Sequence, residues 1–146
     1  MAAPADVTLL YLIKQVELAV RSRLDDVVGD YGLTSLQYTA MTILERHPGM
    51  TSAELARNSF VRAQTMAQMT TYLEARGLVR RERDPQSKRQ YLLFLTDEGS
   101  RIVHELRDPV AEIERMMTSG LTQGESAQLR ASLRAARVAL GGGHPH

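Results

Sequence analysis

The sequence predicts a mainly α-helical domain that carries one small β-hairpin. Three observations lead to this fold class. Apolar residues recur at three- and four-residue steps along most of the chain, as on the buried face of a helix. Several of these segments open with Thr and carry Glu or Gln three residues later, the pattern of a helix-capping box. Between residues 79 and 95, by contrast, two short β-type runs flank a turn.

Composition limits the kind of protein. A chain of 146 residues suits one domain, residues 1–146, and 43% hydrophobic residues are enough for a core. Without Cys there is no disulfide, thiolate nucleophile or thiol switch. No apolar run approaches the roughly 18 residues that span a membrane, and no basic segment precedes an apolar one as in a signal peptide. We therefore expect a cytoplasmic protein that does not enter the membrane.

The N-terminal segment predicts an amphipathic helix from about residue 6 to 29, within an arm of residues 6–30. Gly29 and Gly32 mark its end. The apolar face is too wide to be covered on one side only, so a partner chain is a natural neighbour. Its periodic residues are Leu9, Ile13, Val16, Val20, Leu24 and Val27.

Three helices should follow in the middle of the chain. Thr34 opens one that ends at Pro48, and Thr51 opens a short one that ends at the turn "SFVR". The next runs from about residue 63 to 75, with Gly77 just beyond its end. The residues that it should bury are Met66, Met69 and Leu73.

The hairpin and two further helices complete the chain. The strands are predicted at 79–83 and 89–95, with the turn marked by Pro85 and Ser87. Thr96 caps a long helix that Pro109 should kink or break, and Thr122 caps a last helix through Leu140. The order is that of a winged helix-turn-helix, residues 34–96, flanked by N- and C-terminal helical arms, residues 6–30 and 97–140. Residues 141–146 should be a flexible tail.

Positive charge is concentrated around the hairpin. The whole chain has a net charge of only +1. Residues 76–95 hold six basic and two acidic residues, a local net charge of +4. Charge alone favours a phosphate-binding surface no more than an ordinary solvated run. The basic residues are Arg76, Arg80, Arg81, Arg83, Lys88 and Arg89.

The outward face of the helix at 63–75 is polar but almost uncharged. A solvated helix usually exposes Lys and Glu, whereas Gln and Thr are residues that contact base edges. Alone, this face would suit a neutral surface helix. Beside a basic hairpin it favours DNA reading. Its residues are Gln64, Thr65, Gln68, Thr71 and Tyr72.

The stretch from "TSAELARN" through "LEARGLV" to "DPQSKRQYLLFLTDEG", residues 51–99, is similar to the DNA-binding half of the MarR family of bacterial transcription regulators. The resemblance implies a homodimer whose terminal helices form the interface, with the fourth helix in the major groove and the wing tip in the minor groove. Asp84 and Arg89 match the acid and the arginine of the family's wing. Arg89 or Lys88 is then the candidate for the minor groove.

The resemblance also implies a small aromatic or lipophilic ligand between the dimerisation helices and the winged region. Tyr31, Tyr38 and Met41 lie on segments that would line such a site, although core packing explains each of them as well. The family's oxidation-sensing branch uses Cys, which this chain lacks.

This chain departs from the family pattern at two places. Many relatives have an acid where Ser87 stands, and often Arg at the positions of Gln86 or Lys88, so the ion pairing inside the wing is altered. Relatives commonly begin the recognition helix with Ser or Thr, where this chain has Arg62. We expect Arg62 to bind a phosphate, which offsets a lost cap of roughly 1 kcal/mol.

The predicted function is a sequence-specific, double-stranded DNA-binding transcription regulator: a homodimeric repressor that binds a pseudo-palindromic site and is released by a small ligand. A DNA-architectural protein of low specificity and a protein-interaction winged helix are the alternatives. Catalytic and nucleotide-binding motifs are missing, and only two tail His residues have metal-ligand spacing, so no enzyme, cofactor or metal is expected. The candidate DNA-contacting residues are Arg62, Gln64, Thr65, Gln68, Thr71, Arg83, Lys88 and Arg89.

Overall fold

The computed structural model describes residues 6–141, which form six α-helices and a two-stranded antiparallel sheet. The predicted tail lies outside the described residues apart from Gly141. The mainly helical fold with one hairpin is confirmed. In chain order the elements are α1 (Leu9–Gly29), α2 (Ser35–Arg46), α3 (Ser52–Ser59), α4 (Ala63–Ala75), β1 (Val79–Asp84), β2 (Ser87–Leu95), α5 (Asp97–Met117) and α6 (Gln123–Ala139).

Threonine caps begin the helices where the sequence predicts them. Thr34 and Thr122 each form a reciprocal capping box with the residue three positions later. Thr51 is different, because its hydroxyl accepts from the Glu54 N–H and also lies 3.2 Å from the Glu54 carboxylate. Thr8 caps α1, so that helix begins at Leu9, a few residues later than predicted.

Helix α5 passes through Pro109 without a break, so that part of the prediction is wrong. Proline removes one backbone hydrogen bond but keeps helical dihedral angles. Pro109 is exposed, while Ile102 and Leu106 hold the preceding turns in the core. The packed turns therefore keep the helix continuous across the missing bond.

The hairpin formed by β1, β2 and their turn, called the wing below, is longer than predicted. Asp84 pairs with Ser87 across the turn, so β2 begins at Ser87 rather than Arg89. Leu93 is buried and Leu95 is partly buried against the core, which anchors the wing on the helices.

The loop after α2 is joined to the wing by an isolated β-bridge between Met50 and Leu93. The Gly49 N–H donates to the Leu93 carbonyl at 2.9 Å, and the Leu93 N–H donates to the Met50 carbonyl at 2.8 Å. Gly49 has φ +88°, a conformation that glycine adopts readily. The sequence predicts only a helix end at Pro48 and contains no local sign of this bridge.

One hydrophobic core joins α2, α3, α4, the base of the wing and the first half of α5. Only the C-terminal half of α1 reaches it, through the buried Val28 and the partly buried Leu24 and Val27, and no residue of α6 is fully buried. Much of α1 and α6 therefore exposes apolar side chains in a single chain. Within residues 6–141, no helix is both long and apolar enough to cross a membrane.

Candidate nucleic-acid interface

Helix α4 separates its side chains as the sequence predicts. Met66 and Leu73 are fully buried, and Met69 is 9% exposed. The opposite side is open to solvent and carries no charge over its first three turns. Its exposed residues are Gln64, Thr65, Gln68 and Thr71. These positions share one face of a helix, so their polar groups point away from the core together.

Arg62 begins α4 without capping it. Its backbone is extended, with φ −67° and ψ 148°, and its side chain makes no cap hydrogen bond. The N–H groups of the first turn therefore have no side-chain acceptor, and the positive end of the helix dipole is exposed beside a guanidinium. Such an end suits a phosphate oxygen.

Three of the six basic residues counted around the hairpin are occupied within the chain. Arg76 donates to the carbonyls of Tyr31 and Gly32. Arg80 pairs with Glu82, and its guanidinium carbon lies 4.5 Å from the centre of the Phe94 ring. Arg81 pairs with Glu74. The local charge excess seen in the sequence therefore overstates the charge left for a partner.

Arg81 also ties the wing to α4. Its Nε lies 2.6 Å from the Glu74 carboxylate, which joins β1 to the last turn of that helix. This ion pair is about half-exposed, so its contribution to stability is small. Its geometric effect is to hold the wing beside the helix.

The other three cations lie near the wing tip. Arg83, Lys88 and Arg89 are exposed, and among the ion pairs of residues 6–141 none involves them. Arg83 contacts Tyr91 weakly: it donates to the hydroxyl at 3.4 Å, and its guanidinium carbon lies 5.8 Å from the ring centre. These side chains are therefore available to an anionic partner.

Asp84 organises the turn of the wing. Its Oδ1 accepts from the Gln86 N–H at 2.9 Å, the bond of an Asx turn. Arg89 is not its ion-pair partner among the described residues, and instead lines a groove of about 270 Å³. Ala67 of α4 and Ser52 of α3 line the same groove, so the wing strand and the recognition helix face a common space.

The three predicted ligand-site residues occupy different surroundings. Tyr38 and Met41 are buried in the core, and burial raises the pKa of the Tyr38 hydroxyl. Tyr31 is half-buried, and its hydroxyl donates to Glu105 at 2.8 Å. That hydrogen bond raises the pKa of Tyr31 and lowers the pKa of Glu105. The structure gives all three residues packing contacts, and their ligand role stays a prediction.

Sequence reasoning missed the structural use of Tyr72 and Arg76. The Tyr72 hydroxyl donates to the Gly32 carbonyl at 2.7 Å, the same oxygen that Arg76 contacts. The two residues are four apart and so share a helix face, which is visible in the sequence. Their hydrogen-bond acceptors lie 40 or more residues away along the chain, and the sequence does not reveal such distant pairings.

The MarR family model matches residues 33–91, the helix-turn-helix and most of the wing. Transcriptional regulator HosA of Escherichia coli O111:H- is 39% identical over 71 residues, 49% of this chain and 53% of that protein, so the chain spans about half of this relative. An HTH-type transcriptional repressor of Mycobacterium tuberculosis is 27% identical over 133 residues, covering 91% of this chain and 96% of the repressor.

The fold agrees with solved structures over nearly the whole chain. The transcriptional repressor CouR, bound to a 23-mer DNA duplex, has a TM-score of 0.80 and 28% identity. The match covers 88% of this chain and 92% of CouR. The mycobacterial repressor and CouR match both the winged region and the terminal helices, and the family model covers the candidate site. These findings agree with one another. Residues 33–91 match the MarR family, and the chain as a whole is similar in fold to a crystal structure of MarR, with a TM-score of 0.84 and 26% identity.

Proposed function

We propose that this protein is a homodimeric transcription regulator of the repressor type that binds double-stranded DNA at specific sequences. It is a cytoplasmic binding protein and not an enzyme. One observation carries the proposal: the uncharged polar face of α4 lies beside a wing whose tip holds three cations without an ion-pair partner among the described residues. Base reading and phosphate neutralisation need these two kinds of surface side by side.

The α4 face and the wing tip have different roles in DNA binding. Gln64 and Gln68 reach base edges in the major groove, where Gln pairs well with adenine, and Thr65 and Thr71 contact bases or thymine methyl groups. The cations of the wing tip (Arg83, Lys88 and Arg89) contact phosphates or enter the adjacent minor groove. Arg62 binds a phosphate at the start of α4.

A second copy of the chain covers the apolar surface of the terminal helices. Leu9 and Leu10 are more than 75% exposed, and Leu140 is 85% exposed. A patch of this kind on a monomer marks an interface. Two copies related by a two-fold axis would present their α4 helices to half-sites about 34–36 Å apart on a pseudo-palindromic operator.

A small aromatic or lipophilic ligand releases the dimer from DNA in this proposal. The candidate residues remain Tyr31, Tyr38 and Met41, where the arms meet the winged region. Support comes from Tyr31, which links the turn after α1 to α5 through Glu105. A ligand that displaced this hydrogen bond would change how the two regions are joined.

Selection of bound fragments from the source genome, repeated at several salt concentrations, tests the proposal. We expect a pseudo-palindromic motif, and an affinity for it at least about a thousandfold above that for competitor DNA. A ratio near one supports the architectural alternative. Absence of salt-dependent binding supports the protein-interaction alternative. Gln68→Ala should relax the sequence preference at one base position, whereas Lys88→Ala should weaken binding to all DNA sequences to the same extent.

A further inference from the structure

The last turn of α4 is fastened to the turn between α1 and α2, residues 30–34. Tyr72 donates to the Gly32 carbonyl at 2.7 Å. Arg76 donates to the same oxygen at 3.1 Å and, with its other terminal nitrogen, to the Tyr31 carbonyl at 2.8 Å. Arg76 also donates to the Tyr72 hydroxyl at 3.2 Å. Two side chains of the recognition helix thus share one fixed backbone target.

Glycine at position 32 makes this contact possible. Gly32 has φ +72°, and a Cβ built there would lie 2.8 Å from a terminal nitrogen of Arg76. A larger residue would therefore strain the backbone and push the guanidinium away. The conformation of the turn and the absence of a side chain at Gly32 therefore leave room for the Arg76 guanidinium.

The same turn is held from its other side by α5. The Tyr31 hydroxyl donates to Glu105 at 2.8 Å. Glu105 also pairs with Arg101, which in turn pairs with Glu98. The turn therefore joins the recognition helix, α4, to α5, the first helix of the C-terminal arm.

These hydrogen bonds supply a constraint that the core does not. The inner face of α4 rests on Met66, Met69 and Leu73, and methionine adapts to several packing arrangements. Apolar contacts keep α4 against the core but constrain its rotation only weakly. Hydrogen bonds to fixed carbonyls depend on angle and distance, so they constrain rotation more strongly. Rotation of α4 about its axis matters, because Gln68 must meet a base edge with both donor and acceptor aligned.

We infer that Tyr72 and Arg76 are positioning residues for sequence reading, which hold α4 at a fixed rotation by binding the turn of residues 30–34. The inference rests on the proposed DNA-binding function. It assigns these two side chains to specificity, although Tyr72 lies on the recognition helix and Arg76, at the C-cap of that helix, is cationic. Neither has to touch DNA.

The test compares three variants on the DNA site that the wild-type full-length protein selects. Tyr72→Phe removes one hydroxyl, Arg76→Met removes the donors, and Gly32→Ala disturbs the contact from outside the recognition helix. Fluorescence anisotropy on the selected site and on competitor DNA, at several salt concentrations, gives the specificity ratio and the salt slope. One lost hydrogen bond corresponds to about a threefold to tenfold change. Because Tyr72→Phe loses two hydrogen bonds and Arg76→Met loses three, we expect each variant to lower the ratio by at least that factor, with competitor affinity and salt slope retained.

Two matched controls separate positioning from general damage. Arg107→Met removes another arginine that bridges two elements, α5 and α2, away from the recognition helix. Gly77→Ala creates the same backbone strain at φ +72°, but a Cβ there meets nothing within 4 Å. Both should keep the wild-type specificity ratio. Thermal unfolding of every variant verifies that binding is measured on folded protein, and Tyr72→Phe keeps the test valid should Gly32→Ala not fold.

Results that would contradict the inference can be told apart from results that would contradict the proposed function. If Arg76→Met flattens the salt slope by about one unit and weakens all DNA equally, Arg76 is a phosphate contact and the inference fails. It also fails if Tyr72→Phe and Gly32→Ala bind as the wild type does. Wild-type protein without DNA binding would instead overturn the proposed function, and the inference with it.

Discussion

At Gly99, α5 passes close to the backbone carbonyl of Leu78, and replacement of this glycine by alanine gives a sharp test of the packing. A Cβ at this position would lie 2.2 Å from the backbone oxygen of Leu78 and 3.1 Å from its carbonyl carbon. Carbon and oxygen atoms in ordinary contact lie about 3.5 Å apart. Since a backbone carbonyl cannot rotate away like a side chain, α5 and the start of β1 must separate by more than about 1 Å.

That separation acts on two hydrogen bonds. The Thr96 N–H donates to the Leu78 carbonyl at 3.1 Å, and the Thr96 hydroxyl donates to the Gly77 carbonyl at 2.6 Å. Overpacking costs about 1–3 kcal/mol, and one lost hydrogen bond adds about 1 kcal/mol. Alanine returns about 1 kcal/mol through its helix propensity. Gly99→Ala should therefore destabilise the fold by about 2 kcal/mol and lower Tm by about 6 °C.

Chemical denaturation at one fixed protein concentration measures the effect, because a dimer's stability depends on concentration. Gly124→Ala is the matched control. Gly124 also lies in the first turn of a helix capped by threonine, but a Cβ there meets only the Thr122 hydroxyl oxygen at 3.9 Å. It should leave stability unchanged or raise it by up to about 1 kcal/mol. Equal stability of Gly99→Ala and wild type would refute the steric argument.

Three further predictions concern DNA, assembly and pH. Arg62→Ala should weaken binding to all DNA sequences and flatten the salt slope by about one unit in anisotropy titrations; an unchanged slope rules out the phosphate contact. Leu133→Asp, at an exposed apolar position of α6, should raise the monomer fraction in sedimentation, and a dimer of wild-type affinity would contradict the proposed interface. Hydrogen bonds from Thr122 lower the pKa of Glu125, so their stabilisation is present above the ordinary value of 4.5 and is lost as pH falls through the lowered folded-state pKa. Thr122→Ala removes the hydroxyl but keeps the backbone N–H, whose hydrogen bond is the larger cause, so the pKa should rise only part of the way toward 4.5 in an NMR titration. An unmoved pKa would contradict the contribution of the hydroxyl.

Local signals account for most of the secondary structure that the sequence predicts. Capping by Thr34, Thr96 and Thr122 involves each threonine and the residue three positions later, so helix starts can be inferred without tertiary knowledge. The bounds of α4 agree with the predicted 63–75 for the same kind of reason: its apolar period is regular, and Gly77 with φ +72° follows it.

Long-range pairings explain what was missed. The bridge between Met50 and Leu93 and the contacts of Arg76 with Tyr31 and Gly32 join residues more than forty positions apart. No local pattern encodes such pairs. Pro109 failed as a helix breaker for a related reason, since packing of the turns before it outweighs one missing bond.

The candidate site was predicted by residue type rather than by availability. The sequence identifies six basic residues near the hairpin, but only the fold separates those held by Glu74, Glu82 and backbone carbonyls from those that stay available. The polar face of α4 was easier to predict, because helical spacing alone decides which side chains are opposite Met66 and Leu73.

No residue of α6 is fully buried against its own chain, although Leu129 is partly covered, and this has a consequence for how the protein responds to its own abundance. If a second copy covers that surface, as proposed, the fraction of chains in which α6 is covered depends on how much chain is present. The binding-competent species then increases with the square of chain concentration while monomer predominates. Small changes in synthesis would produce disproportionate changes in promoter occupancy, so the unburied helix makes expression level itself a control of the regulator.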